Sequence, residues 1–283
     1  MDYHAESLSS WETNSAFWDE GVGRDGNKYW KRLQEPSLRR MLASHVHPDR
    51  RSRALDLATG NGLTARWLVN NGCDSVLATD GAAAQLERAQ KRALTATEKD
   101  RIDYRQLDVT SYDALVDVLK DPSKSDGFDI ILINMAIMDI ATIEPLANAL
   151  PKLLKADGVF VATILHPVFF TSRATRLLEV VDYNPGSTQR PPIDRAKVIR
   201  EYLHIPPYRG VAVWGQPAEQ VIFHRSMQEL FGTFFRAGLV LDAFEEPAFT
   251  EEDAISERTY AHTNFPQLPA ILSFRMRRRA DAP

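Results

Sequence analysis

The residues whose types and spacing point to chemistry stand at the ends of apolar runs. Asp56, Ala58, Gly60 and Gly62 read as D-x-A-x-G-x-G after the run that begins at Ala54. Gly60 takes φ > 0 at no steric cost and neither glycine carries a Cβ, so a ligand can approach the backbone closely. The turn also aims helix N-terminal N–H groups into the crevice above a sheet. Ala58 adds a methyl group at the first small position and is expected to exclude a positive φ there. Asp80 ends the next apolar run, where a carboxylate can accept both hydrogens of a ribose diol. A nicotinamide-dinucleotide site places an acid similarly, so Asp80 alone does not separate ligands. The turn separates them in part: the third position of G-x-G-x-x-G is Ala65, and Asp56 disfavours a pyrophosphate beside it. Asp108, Asn134 and His166 follow the next three runs.

These positions need a sheet to bring them together. Strand patterns at Ala54–Ala58, Ser75–Asp80, Ile102–Leu107, Phe128–Asn134 and Val159–Leu165 alternate with helical patterns at Leu63–Asn70, Ala82–Leu94, Tyr112–Lys120 and Ile143–Leu154. That alternation implies βαβ units and a parallel sheet with helices on both faces. Right-handed crossovers then leave few topologies. Phe128–Asn134 is nearly continuous apolar chain, as a central strand covered on both faces should be. The expected end of the chain is a helix over Ser226–Ala237 and strands over Leu239–Glu245 and Pro269–Met276. Residues 166–222 break the rhythm. They hold turn signals at Tyr183–Gly186 and Arg190–Pro192, and the aromatics Phe169, Phe170, Tyr202, Tyr208 and Trp214. A stretch this long without a clear pattern is functional or hides structure of its own. It reads as a substrate-covering insertion, with a dimerisation arm as the other reading. Residues 1–45 read as an aromatic lid or cap, or as an arm packed on the sheet edge. Residues 46–283 read as the ligand-binding domain.

The ordered set Trp11-Glu-Thr-Asn14, Phe17-Trp-Asp19, Asp56 to Gly62, Asn134 to Asp139, His166-Pro167, Phe223-His-Arg225, Ala237 to Asp242 and Glu245-Glu-Pro247 resembles the class I S-adenosylmethionine (SAM)-dependent methyltransferases. The closest likeness is to the small-molecule, type 11/12/25-like subgroup. The resemblance implies a Rossmann-like sheet of seven strands, mostly parallel, with an antiparallel last strand. It also implies SAM as methyl donor, S-adenosylhomocysteine (SAH) as product, and cofactor contacts from Asp56, Ala58, Thr59, Gly60, Asn61, Gly62, Asp80, Gly81, Asp108, Val109, Asn134, Met135 and Ala136. Asp108 would accept from the adenine amino group, unless it caps the next helix, a role Thr110 or Ser111 can fill. Asn134 would meet the methionine part. Met138 would line the transfer zone or fill the core, and Asp139 would cap the following helix or touch ligand.

Methyl transfer from a sulfonium needs alignment and exclusion of water more than it needs a strong catalyst. A base helps when the acceptor still holds its proton. His166 is the candidate, against the plainer reading that it fixes the turn before Pro167. Trp11, Phe17, Trp18, Tyr29 and Trp30 of the lid, with Met138, Phe169, Phe170, Tyr202, Tyr208 and Trp214, would build an acceptor pocket for a planar or apolar metabolite. Oxygen is the first choice of acceptor atom, nitrogen and sulfur the next, in secondary metabolism. Rival readings are a SAM-binding enzyme that does not methylate, a SAM sensor or partner-binding protein, and an NAD-linked oxidoreductase.

The bulk properties narrow the partners. The chain has 283 residues, 44% of them hydrophobic, and a net charge of −4. It has no global basic field for nucleic acid, and no Asn-Pro-Pro-Tyr-type run follows the fourth strand. The histidines and single cysteine form no spaced metal set; His45-Val-His47 is an isolated pair. One cysteine, no signal-like N-terminus and no apolar run of ~18 residues lead us to expect a cytoplasmic monomer or homodimer away from membranes. His224 is expected to satisfy a carbonyl of the insertion, and Arg225 to clamp a substrate carboxylate or pair with an acid.

Overall fold

A computed structural model describes residues 2–46, 48–180 and 193–281. His47 and both turn signals at 183–186 and 190–192 lie outside the described residues. The N-terminal helix α1 spans Tyr3–Val22. A π-turn at Trp30–Gln34 runs into α2, Glu35–Leu42, with Pro36 in its first turn. The alternating region then gives β1 (Arg53–Leu57), α3 (Leu63–Asn70), β2 (Ser75–Asp80), α4 (Ala83–Arg92), α5 (Ala96–Arg101), β3 (Ile102–Gln106), α6 (Tyr112–Val116), β4 (Phe128–Asn134), α7 (Glu144–Leu153) and β5 (Leu154–Leu165). Helix α5 fills the stretch between α4 and β3, where the sequence pattern marks no element. Thr95 and Glu98 form a reciprocal capping box at its start, which makes so short a helix viable.

The insertion is two hairpins, β6 (Ala174–Val180) with β7 (Ile193–Ile199) and β8 (Tyr208–Gly210) with β9 (Gln220–Ile222). The chain then forms α8 (Met227–Arg236), capped by Ser226, followed by β10 (Leu239–Glu245) and β11 (Ile271–Arg278). The main sheet runs β10-β11-β5-β4-β1-β2-β3. β11 is antiparallel to both neighbours, and the remaining pairs are parallel. The chain reverses direction across the sheet between β1 and β4, so the crevice beyond their carboxyl ends is the ligand position this topology offers.

Alternation along the strands fills both faces. Leu55, Leu57, Ile131, Ile133 and Phe160 point to one side, packed with α7 and α8. Ala54, Ile130, Leu132, Val159 and Val161 point to the other, against α3 and Leu38, Met41 and Leu42 of α2. On the first face Phe160, Phe234 and Phe274 meet with centroids 5.3–6.2 Å apart. Truncating Phe274 to Ala would cost about 3–5 kcal/mol. On the second face Trp30 lies edge-on to Trp67, so the segment from Trp30 to Leu42 is core as well as cover. Cys73 is a buried space-filler there.

Candidate active site

The turn after β1 is held in shape from three sides. Thr59 N donates to Thr79 O (2.8 Å), Gly60 N to Asp80 Oδ2 (2.9 Å), and Gly62 N to Thr59 O (2.9 Å). Gly60 and Gly62 have φ of +56° and +77°. The expectation of a negative φ at Ala58 is overturned: its φ is +51°. A left-handed alanine costs roughly 1 kcal/mol, and the turn's hydrogen bonds offset it. Met135, at the end of β4, is left-handed too, with φ +57° and its N–H on Thr163 O. Both strained residues line one cavity.

That cavity has a volume of about 640 Å³ and lies over the carboxyl ends of β1 to β4. Its walls include Ala58, Thr59, Gly60, Asn61, Asp80, Gly81, Asp108, Val109, Asn134, Met135 and Ala136 on the sheet side. They also include Trp18, Tyr29, Trp30, Met138, Phe169, Phe170 and Tyr208, which come from the lid, the turn after β4 and the insertion. Thus a size suited to a small ligand and most of the sequence-derived site coincide.

Phe17, Asp56, Gly62, His166, Tyr202 and Trp214 stand apart from the cavity wall. Asp56 lies beneath the turn, where its Oδ2 accepts the hydroxyls of Thr59 and Thr64 (2.5 and 2.7 Å). Its Oδ1 is buried with no partner among the described residues, and burial pushes the carboxyl up to about 7. Gly62 starts α3 in a left-handed conformation. Trp214 is 98% exposed. His166 is 2% exposed, and both its ring nitrogens are used. Nδ1 accepts from Val168 N (3.2 Å), which leaves the proton on Nε2 to donate to Glu246 Oε1 (2.8 Å). Burial lowers its pKa against the pull of Glu246. This geometry favours the turn-fixing reading of His166 over the base.

The strand-end side chains are already engaged. Asp80 is 9% exposed; besides Gly60 it accepts Ala82 N at 3.0 Å. Burial, only partly opposed by those N–H groups, raises its carboxyl to about 6. Asp108 accepts the N–H and hydroxyl of Thr110 on Oδ1 (2.8 and 2.7 Å) and meets His4 Nε2 of α1 on Oδ2 (2.8 Å). Ser111 caps α6 instead. Asn134 donates to Gln34 of the π-turn (3.0 Å) and accepts from Thr163 (2.5 Å). Carboxylates and amides keep further lone pairs and protons for a ligand.

Helix α1 closes the top. Ser7 Oγ donates to Asp139 O, Glu12 accepts the N–H groups of Ala83 and Ala84 at the start of α4, and Asn14 exchanges two hydrogen bonds with Ala218. Asp19 holds Asn61 Nδ2 and Arg92 Nε. Gly81 admits this lid, since a Cβ there would fall 2.7 Å from Leu8 Cδ2. The aromatics Trp11, Phe17 and Trp18 stand out in the sequence, whereas the contacts of α1 are made by polar residues, among them the buried Ser7, Asn14 and Asp19, whose partners lie far away in the chain.

Other wall residues were absent from the sequence reading, among them Gln85, Arg176, Lys197, Gln220 and His262. Asp139, one of the two-way readings, lines the cavity with no side-chain partner among the described residues. Burial holds its carboxyl well above the usual range, and Ile143 occupies the N-cap of α7. His224 bonds Tyr202 O of the insertion, as expected. Arg225 does neither of the things expected of it: it donates to the carbonyls of Ile137, Ile140 and Ala141 and so braces the turn after β4. Among the described residues no His, Cys, Asp or Glu cluster can hold a metal ion. No helix there is long and apolar enough to cross a membrane.

Comparison with known proteins fits this geometry. Residues 55–160 match the family model of the methyltransferase domain, type 12. No curated protein matches by sequence. Among solved structures, an SAM-dependent methyltransferase from Mesorhizobium loti shares 21% identity at a TM-score of 0.62, over 90% of this chain and 100% of the other. The DhpI–SAM–HEP complex shares 16% at 0.58, over 98% and 99%. The glycopeptide N-methyltransferase MtfA complexed with SAM shares 15% at 0.51, over 84% and 91%. Residues 55–160 are therefore similar to a methyltransferase domain, consistent with the type 11/12 group, and the chain has the fold of the class I SAM-dependent methyltransferases.

Proposed function

We propose that the protein binds SAM across the carboxyl ends of β1 to β4 and methylates a small acceptor in the same cavity. The observation that carries this is the continuity of one cavity from the Gly60 turn, Asp80 and Asn134 to the aromatic wall of Tyr29, Phe169, Phe170 and Tyr208. The residues present suit the cofactor. Gly60 has nothing within 4 Å of where a Cβ would stand, so its backbone faces open space. Trp18 lines the cavity, and its Nε1 is buried without a partner among the described residues. Asp80 would take the ribose diol, Asp108 and Val109 the adenine, and Asn134, Met135 and Ala136 the methionine part.

SAM when bound supplies a methyl group activated on sulfur: the acceptor atom gains a bond to carbon as the carbon–sulfur bond breaks, and the acceptor's proton leaves to a base or to water. The chain supplies alignment and dryness. α1 covers the cavity, and the insertion hairpins wall its side. With both nitrogens of His166 occupied, Asp139 is the group we assign to receive a proton, since it faces the cavity unpartnered. Burial raises its carboxyl well above the usual carboxylate range, which makes it the stronger proton acceptor once it is ionised. The acceptor is a small, partly apolar or aromatic metabolite, with oxygen the first choice of atom.

Calorimetry with SAM, SAH and NAD⁺, followed by a radiolabelled-methyl screen over a metabolite extract, tests this reading. We expect SAM and SAH to bind and label to enter a small molecule. NAD⁺ binding without SAM binding, or tight SAM binding with no labelled product, would overturn it.

A further inference from the structure

The sheet side of the cavity is acidic, with Asp80 and Asp108 at its strand ends, while the insertion side is basic. Lys197 of β7 and Arg176 of β6 both line the cavity, together with His262. Lys197 Nζ donates to Phe169 O at 2.8 Å and stands 3.6 Å from the centre of the Phe170 ring. Arg176 donates to Tyr260 O and meets His262 Nε2 at 3.1 Å. Neither cation has a carboxylate partner among the described residues. Phe170 lies tilted against His262 with centroids 4.5 Å apart and, like Tyr29 and Met135, packs against the cluster of Leu33, Phe249, Ala270 and Ile271. The two cations therefore lie over the wall beside the strained end of β4.

Two unpaired cations at one cavity wall are unfavourable in the empty protein. Their like charges repel, and the lysine has exchanged water for an aromatic face. A bound oxyanion would relieve both terms through charge-assisted hydrogen bonds. The neighbouring charges do not substitute for it. Glu246 is engaged by His166, which lies beneath Phe169 rather than on the wall. Burial and the two cations hold His262 neutral, down to about 3, and Lys197 is lowered to about 8 by burial and Arg176.

From this geometry we infer that Lys197 and Arg176 form an oxyanion subsite, and that the acceptor is an aromatic or apolar acid bearing a carboxylate or a phosphorus oxyanion. The inference rests on the methyltransferase reading for the word acceptor, and on the cation pair alone for the subsite. Lys197 takes one oxygen as a point charge, Arg176 gives a second the N–H groups that Tyr260 O and His262 Nε2 leave free, and the aromatic wall around Phe170 packs on the apolar body.

The test uses the full chain saturated with SAH and three probes of similar shape: benzoate, phenyl phosphate and benzyl alcohol. Dissociation constants come from calorimetry. We expect at least one anion to bind tenfold or more tighter than the alcohol, and the tighter anion identifies the acid class. Lys197→Met keeps the apolar stem over Phe170, and Arg176→Gln changes an exposed side chain, so melting temperature controls for folding in each. Each variant should lose at least fivefold of the anion preference and keep its SAH affinity within twofold. Equal binding of all three probes, or an anion preference that survives in the double variant, would overturn the subsite. Failure of SAH itself to bind would instead overturn the methyltransferase reading.

Discussion

Asp80 gives the sharpest quantitative expectation. Its carboxyl is raised to about 6 by burial, while its oxygens already accept Gly60 N and Ala82 N. A ribose diol donates hydrogen bonds, so it prefers the ionised form. With a pKa near 6, roughly one-tenth of the molecules are ionised at pH 5 and roughly nine-tenths at pH 7. Apparent affinity scales with the competent fraction, so the SAH dissociation constant should fall about tenfold between pH 5 and pH 7. Asp56, raised to about 7 partly by Asp80, adds a shallower dependence above that range. Asp80→Asn keeps the shape but offers one acceptor oxygen where two backbone N–H groups need partners. It should weaken SAH binding by about 1.5–3 kcal/mol and flatten the dependence between pH 5 and 7. Quenching of Trp18 and Trp30, which line the cavity, reads both. A flat profile for the native protein, or an unchanged slope in Asp80→Asn, would refute the reasoning. The same raised pKa has an opposite consequence for the ligand-free fold. The folded state holds the proton more tightly than the unfolded chain, so this contribution to stability is largest at low pH and declines as pH rises through about 6.

Other outcomes follow from single contacts. His166→Gln should lower stability by about 1–3 kcal/mol by breaking its buried hydrogen bonds and leave the pH profile of turnover unchanged; a lost limb in that profile would restore His166 as the base. Glu98, whose side chain is 0% exposed, is lowered to about 2 by Arg24, Asn70 and the N–H groups of Thr95 and Leu94, against its own burial. Its stabilising share, about 2–3 kcal/mol, is present above pH 4.5 and should be lost as pH falls toward 2, so acid unfolding followed by circular dichroism should move to higher pH in Glu98→Gln. Trp214→Ala should change stability by no more than ~0.5 kcal/mol and leave ligand affinity alone, measured by thermal melting and calorimetry; a large loss of affinity would place Trp214 in a closed form of the site.

The sequence by itself determined the parallel sheet, its strand boundaries to within two residues except at β5, which starts at Leu154 rather than Val159, and the positions at the strand ends. These are local properties: period-two and continuous apolar runs, a Gly turn, and carboxylates that end strands. Every residue from Ala58 to Asn61, and likewise Asp80, Gly81, Asp108, Val109 and Asn134 to Ala136, reached the cavity because a parallel sheet brings its strand ends to one edge. Tertiary structure decided where individual side chains turn. Ala58 took a left-handed backbone because Thr79 and Asp80 lie in the neighbouring strand, which no local propensity includes. His166 was withdrawn from the cavity by Glu246, a residue distant in sequence. Nothing in the sequence singles out Lys197 and Arg176; the β6–β7 hairpin pairs them and sets Lys197 over Phe170. A charge is functional or merely solvated according to what is packed around it, and that packing arises from contacts between distant parts of the chain.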